Sequence, residues 1–303
     1  MTAAAEPPRC TVRYNSPLRY PGGKAKLADF IKAVFRANRL LDGVYLEPYA
    51  GGASVALTLL YEEYASEVYI NDLDRAIFAF WHSVVHEPDR LCRLVRDARV
   101  TPDQWARQRR VYRRAATGPL LDLGFAAFFL NRTNRSGIIG SAGMIGGGKQ
   151  RGRWKLDARY NGPELAERIA RVARYRDRIR VFNLDAGVFL RQCAAKLTGQ
   201  ALAYLDPPYY VKGQRRLYAN YYAGADHAEI AALLASVPFP WVVSYDDVPE
   251  IRRLYKGYRR TGYSLRYTAA QRRSGSEVIF LSDGLAVPRG IGRRDTGVLL
   301  PAF

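Results

Sequence analysis

Cysteine and histidine are scarce in this sequence, with three of each among 303 residues. Cys10, Cys92 and Cys193 stand far apart and make no metal-ligand spacing. His82 and His86 sit one helical turn apart, but no cysteine or paired carboxylate completes a ligand set, so no metal is expected. No signal peptide and no apolar run long enough to cross a bilayer is visible, so the expectation is a cytoplasmic, reduced chain with no membrane partner. Acidic residues are also short: 28 Asp and Glu against 47 Lys and Arg leave a net charge of +19. That excess favours a polyanionic partner, nucleic acid ahead of an anionic membrane. Arginine far outnumbers lysine and is spread along the chain, a bias that a GC-rich coding genome also produces. The charge therefore supports nucleic acid without identifying it. Two ligand-binding patterns are missing as well. The dinucleotide G-x-G-x-x-G does not follow the first strand, and the Gly-Gly-Lys at 22–24 lacks the glycine spacing and Ser/Thr of a P-loop.

What is present begins with a hydrophobic share of 48%, enough for a real core in one large or two modest domains. The chain is organised around Leu205-Asp206-Pro207-Pro208-Tyr209-Tyr210, which follows the apolar run Ala201 to Tyr204, a short buried strand. Two prolines cannot continue a sheet ladder, so the chain leaves the sheet at Asp206. A carboxylate and an aromatic ring thus stand at the carboxyl end of a strand, where open α/β sheets keep their ligands. The Pro207 carbonyl beside the Asp206 carboxylate gives two acceptors suited to an exocyclic amino group. Tyr209 offers a face on which the base carrying that amine can stack. A proline-capped strand end with a surface Asp is the plainer reading of Asp-Pro-Pro alone; the segments that follow favour the functional one.

Residues 1–12 read as a tail. Gly22-Gly23-Lys24 after Tyr20 opens a helical pattern and presents backbone N–H groups and an ammonium to an anion, a carboxylate as readily as a phosphate. Val44 to Ser54 is strand, small-residue turn and helix start, the first βα unit of a Rossmann-like sheet, with Glu47, Pro48, Ala50, Gly51 and Gly52 at its turn. A second strand, Val68 to Ile70, ends in Asn71-Asp72, where an acid can accept hydrogen bonds from both hydroxyls of a ribose. Asp74 is a candidate N-cap.

From Arg75 to Arg178 strand signals vanish and helical runs appear at 77–85, 90–98, 104–114, 120–131 and 164–175. A glycine- and arginine-rich loop, Asn134 to Arg159, interrupts them and carries Arg135, Lys149, Arg151, Arg153 and Lys155, with Trp154 interleaved. Such a loop is expected to be too flexible to order without its ligand. The sheet resumes at Ile179 to Phe182. It continues through Trp241 to Ser244 and closes with an antiparallel pair, 258–267 and 277–281. The segment 211–224 is long enough for a lid, and Asp226 is expected to cap a helix over 228–234.

Four segments in this order, Arg19 to Lys24, Glu47 to Ala53, Asn71-Asp72 and Asp206 to Tyr209, resemble the Dam-type family of DNA adenine methyltransferases, which use S-adenosylmethionine. Phe129-Leu130-Asn131-Arg132-Thr133 is similar to that family's helix leading into its recognition loop. The resemblance spans roughly residues 14–283. It implies an α/β fold: a Rossmann-like S-adenosylmethionine-dependent methyltransferase sheet, residues 13–74 and 179–283, with an inserted helical target-recognition domain, residues 75–178. Residues 1–12 and 284–303 would be tails.

The resemblance further implies that Tyr20, Gly22, Gly23, Lys24, Glu47, Pro48, Ala50, Gly51, Gly52, Asp72 and Asp206 serve the cofactor, and that Asp206, Pro207, Pro208 and Tyr209 grip a flipped adenine. Asn131, Arg132, Asn134, Arg135, Lys149, Arg151, Arg153 and Lys155 would serve DNA. The partner implied is duplex DNA, met by a monomer in a bacterial or phage cytoplasm, with room for a companion endonuclease in a restriction-modification system. Asn134-Arg135-Ser136-Gly137 departs from the family's aromatic-Asn-Gly, and Trp154 to Tyr160 from its Val-Pro-Phe-Gly, so the recognised sequence does not transfer. An RNA or protein-amide methyltransferase would use the same sheet. Asp rather than Asn at 206 and the basic insertion favour adenine.

Overall fold

The computed structural model describes residues 15–19, 27–197, 200–210, 222–264 and 276–287. The elements run α1 (Ala28–Ala37), β1 (Gly43–Glu47), α2 (Ser54–Tyr61), β2 (Ala65–Asn71), α3 (Arg75–His86), α4 (Pro88–Arg96), α5 (Pro102–Arg113), α6 (Leu120–Thr133) and α7 (Gly162–Ala173). They continue with β3 (Ile179–Phe182), α8 (Ala186–Lys196), β4 (Ala201–Leu205), α9 (Gly224–Leu234), β5 (Trp241–Asp246), α10 (Pro249–Leu254), β6 (Arg259–Ser264) and β7 (Ser276–Leu281).

The seven strands form one sheet in the order β3-β2-β1-β4-β5-β7-β6. The first five pair in parallel, and β7 runs antiparallel between β5 and β6. Strand order reverses between β1 and β4, and at such a switch point the loops diverge to leave a crevice at the carboxyl edge. Parallel strands covered on both faces read as continuous apolar runs, and every residue of β4 and β5 is buried. Side chains alternate between two cores. Tyr45, Leu202, Tyr204 and Val242 join the core with α1, α2, α3 and α6; Leu46, Ala203, Leu205, Val243 and Tyr245 join that with α8 and α9.

The helical segment 75–178 forms as expected but builds no separate core. Phe80, Trp81 and Phe128 to Leu130 lie in the same cluster as Tyr45 and Val68 of the sheet. Short polar side chains start its helices: Asp74 accepts from Ala76 N–H at 2.8 Å and Thr101 from Gln104 N–H at 3.2 Å. Two expectations are corrected. The helix α9 begins at Gly224, so Asp226 lies inside its first turn and accepts from Ala223 N–H at 2.7 Å. Residues 284–287 are not loose. Leu285 is buried, and Asn38 exchanges two hydrogen bonds with the backbone of Ala286, at 2.7 and 2.8 Å.

Candidate active site

At the carboxyl end of β1, Glu47 and Pro48 are buried and the chain turns through Gly51 and Ala53, both with left-handed backbone (φ 46° and 47°). Glycine adopts that conformation without strain. Ala53 is held in it by its N–H bond to the Ala50 carbonyl at 2.6 Å. Two elements pin the turn. Trp81 of α3 donates its indole N–H to the Gly51 carbonyl at 2.9 Å, and Gly51 N–H donates to Asp72 Oδ2 at 2.9 Å. Asn71, fully inside, donates to the carbonyls of Pro48 and Leu184 and accepts from Leu184 N–H, joining the loops after β1, β2 and β3. Sequence reasoning read Asn71 only as part of a motif; its role as a staple depends on Pro48, 23 residues away, and Leu184, 113 residues away.

Asp72 Oδ1 accepts in turn from Asp74 N–H at 2.9 Å. Burial, and then the nearby Asp74, push the Asp72 carboxyl up to about 7, against the lowering effect of its two backbone donors. Burial also raises Glu47 well above the usual carboxylate range, with Asp206 and Asp72 adding to the effect and the Ala56 backbone N–H opposing it. Among the described residues, Glu47 Oε2 is buried without a hydrogen-bond partner, a costly state for a carboxyl oxygen unless a ligand supplies a donor or positive charge.

Asp206 stands at the end of β4. Its Oδ1 accepts from the Ser244 hydroxyl at 2.9 Å, and Tyr204 Oη lies 2.9 Å from Ser244 Oγ. Pro207 is buried beneath it, while Pro208 and Tyr209 are half-buried. Tyr209 donates its phenol to Glu277 Oε1, and Tyr210 N–H donates to Asp246 Oδ1 at 2.9 Å, so neighbouring β7 and β5 fix the turn from below. The segment 211–221, part of the expected lid, lies outside the described residues, as do Tyr20, Gly22, Gly23 and Lys24. The structure thus brings Glu47, the 50–53 turn, Asp72 and Asp206 to one sheet edge. It adds Ser244, Tyr204, Asp246 and Glu277 as supports.

The residues expected to meet DNA divide into two groups. Asn131, Arg132 and Asn134 are buried, whereas the resemblance implied that they serve DNA. Asn131 Oδ1 accepts from Arg19 N–H and its amide donates to the Arg19 carbonyl, both at 2.7 Å, and to the Gly137 carbonyl at 2.9 Å. Arg132 donates to the Pro17 carbonyl and lies over Phe128; burial, and then Arg168 and Arg19, push its guanidinium down to about 9. Asn134 takes the Trp105 indole N–H at 2.7 Å and donates to the carbonyls of Ile138 and Ile139. These side chains bind the chain's own backbone and hold the 15–19 segment and the loop onto α6.

Arg135, Lys149, Arg151, Arg153 and Lys155 are exposed. The loop that carries them is internally bonded, contrary to the expectation of a segment ordered only by its ligand. Asn134 bridges to Met144, Arg135 N–H donates to the Gly143 carbonyl at 3.0 Å, and Gln150 donates to the carbonyls of Ile145 and Gly147 while accepting from Leu156 N–H. Arg109 of α5 adds bonds to the carbonyls of Ile139 and Ala142, and buried Leu156 anchors the far side. Trp154, 62% exposed, stands at the surface with Arg153 against its ring.

The family model for D12 class N6 adenine-specific DNA methyltransferases matches residues 20–272. No curated protein matches the sequence. Among solved structures, the rRNA methyltransferase aviRa from Streptomyces viridochromogenes is 17% identical over 87% of this chain and 86% of its own, with a TM-score of 0.35. A conserved hypothetical protein from Streptococcus pyogenes is 11% identical over 80% of this chain and 88% of its own, with a TM-score of 0.31.

Proposed function

Because the chain belongs to the D12 class N6 adenine-specific DNA methyltransferase family, an enzyme family, we propose that it transfers a methyl group from S-adenosylmethionine to the exocyclic amine of adenine at specific sites in duplex DNA. The observation that carries this reading is the convergence of Asp206, Glu47 and Asp72 at the switch point of the sheet, with Asp206 clamped by Ser244.

The residues fit the cofactor. The orphaned Oε2 of Glu47, among Asp72 and Asp206, suits a ligand bearing an ammonium and a sulfonium charge. The Gly51-Gly52 turn lets such a ligand approach the backbone, and Asp72 can accept from ribose hydroxyls. When bound, S-adenosylmethionine supplies a methyl group on positively charged sulfur, an electrophile that needs no further activation. The protein's part is to present an amine lone pair in line with that methyl at about 3 Å. Asp206 and the Pro207 carbonyl accept the two amine hydrogens, which aims the lone pair outward and stabilises the positive charge that grows on nitrogen. Asp206 then takes the proton that the methylated amine must lose. Tyr209, its phenol held by Glu277, offers a fixed ring face for the base.

An amine inside a paired stack is out of reach, so the adenine must be flipped out of the duplex. Exposed Arg135, Lys149, Arg151 and Arg153 on the loop after α6 supply contacts to the flanking duplex. Action as a monomer on the duplex is part of the same reading. A restriction-modification setting, with a companion endonuclease, fits a site-specific mark. Sequencing that maps modified adenines in DNA from cells expressing the chain tests the proposal. N6-methyladenine at a recurrent motif is expected, and unmodified adenine throughout refutes it.

A further inference from the structure

We propose that Ser244 is a positioning residue for the transfer step, with Tyr204 behind it. The proposal rests on Asp206 acting as the acceptor for the target amine.

The strands β4 and β5 pair in parallel with Leu205 opposite Val243, so Asp206 and Ser244 occupy the next rung at the carboxyl edge. Side-chain alternation turns Tyr204 and Asp206 of one strand, and Val242 and Ser244 of the other, to the same face. The register therefore brings a hydroxyl beneath the Asp206 carboxylate and a phenol beneath that hydroxyl. The Ser244 hydroxyl donates its single proton to Asp206 Oδ1. Tyr204 must then donate to Ser244 Oγ, which makes a directed chain from phenol to hydroxyl to carboxylate, with both distances 2.9 Å. Ser244 and Tyr204 are 0% and 1% exposed, so water does not compete for either bond. Tyr204 does not ionise to reverse the chain. Burial, and then Asp206, hold its phenol well above its ordinary value.

The consequence concerns orientation. A carboxylate at the end of a strand, followed by two prolines, has a fixed backbone but a rotatable Cβ–Cγ bond. The Ser244 bond fixes the plane of the carboxylate before any base arrives, and hydrogen-bond geometry at sp² oxygen is directional. Ser244 touches no substrate in this account and acts only through Asp206.

Steady-state methyl transfer by Ser244→Ala, Ser244→Thr, Tyr204→Phe and the Asp206→Ala/Ser244→Ala pair tests the assignment. Ser244→Ala is expected to lower kcat by about 10- to 100-fold with KM for DNA and cofactor within about threefold. Ser244→Thr, which keeps the hydroxyl, should recover most of that loss. In the Asp206→Ala background, removing Ser244 should cost nothing further, because a residue acting through another loses its effect when the partner is gone. A merely structural serine would lower activity in both backgrounds alike, and that result overturns the proposal. So does a kcat for Ser244→Ala within about twofold of wild type. Should Ser244→Ala fail to fold, Tyr204→Phe decides. It keeps the serine and should reduce kcat by about 3- to 10-fold, and an unchanged kcat overturns the chain. A wild-type enzyme that leaves adenine unmodified refutes the underlying reading instead, a distinct outcome.

Discussion

Gly51 N–H donates to Asp72 Oδ2 at 2.9 Å, so the turn after β1 and the acid after β2 are one structural unit. A ligand that bonds Asp72 competes with, or shares, an oxygen that already holds the glycine turn in place. A cofactor held by Asp72, as proposed, would therefore be coupled to the shape of the turn through one carboxylate.

The first prediction follows from the proton on that carboxylate. Asp72 is raised to about 7 in the fold by burial and by Asp74. A raised folded-state value means the fold keeps a proton that the unfolded chain gives up near pH 4, the ordinary range of about 3.9 for Asp. Its contribution to stability is thus fully present below about pH 4 and is lost as pH rises through about 7. In the proposed site ribose hydroxyls donate to the ionised form, so cofactor affinity should run the opposite way. It should rise by up to about tenfold per pH unit below pH 7 and level off above it. Asp72→Asn should bind weakly and remove that slope, which calorimetric titration across the range measures. An identical slope in the variant would assign the proton to another group, with Glu47 the next candidate.

The second prediction concerns the chemistry. Asp206→Ala removes one of two acceptors for the target amine and should lower methyl transfer by about two to four orders of magnitude. Duplex affinity should persist, because phosphate contacts dominate it. Filter binding and single-turnover transfer on the same preparation separate the two. Turnover near wild type would remove Asp206 from the reaction.

Legibility differed by kind of feature. The strands and their order along the chain followed from apolar runs and turn residues, and the acids Glu47, Asp72 and Asp206 were readable because each ends a strand. Ser244 and Tyr204 were not, since a hydrogen bond spanning about forty residues depends on the register of β4 against β5, which no local pattern encodes. The same holds for Asn131, Arg132 and Asn134. The resemblance set them against DNA, whereas tertiary packing around α6 buries them, and Asn131 and Arg132 bond backbone 112 and 115 residues away. Glycine content made the 134–159 loop read as loose; Gln150, a single side chain with three backbone bonds, holds it together.

The third prediction uses that burial. Asn131 holds both backbone groups of Arg19, just before the Gly-Gly-Lys segment, and the carbonyl of Gly137 in the loop. Gly137 has φ 76°, and a Cβ there would lie 2.6 Å from the Arg19 carbonyl oxygen, so the two segments cannot separate without loss of packing. Asn131→Ala leaves buried donors and acceptors unmet, at a cost of about 1–3 kcal/mol each. A lowered melting temperature is expected together with weaker cofactor binding. Weaker DNA binding with unchanged thermal stability would instead return Asn131 to the DNA surface.

The last prediction concerns how sequence is read. Arg135 leaves α6 at a rigid point: Asn134 is fixed by Trp105, Arg135 N–H is held by Gly143, and Ser136 turns the chain with φ 55°. Its side chain is exposed and makes no hydrogen bond or ion pair among the described residues, so it does not cap the helix; the C-cap bond is Asn134 N–H to Leu130. An arginine fork launched from a fixed backbone matches the two major-groove acceptors of guanine, and one such pair discriminates by about 1–3 kcal/mol. Arg151 and Arg153 stand further along the loop, both exposed and Arg153 against Trp154, and suit phosphates. Arg135→Ala should therefore relax site preference at one position by roughly 5- to 150-fold, while Arg151→Ala and Arg153→Ala weaken all duplexes alike and reduce the salt slope by about one each. Methylation profiles over a library of randomised sites distinguish the two behaviours. An Arg135→Ala profile that matches wild type at every position would show that another group reads the base, and the ordered loop leaves Lys149 as the next exposed cation to examine.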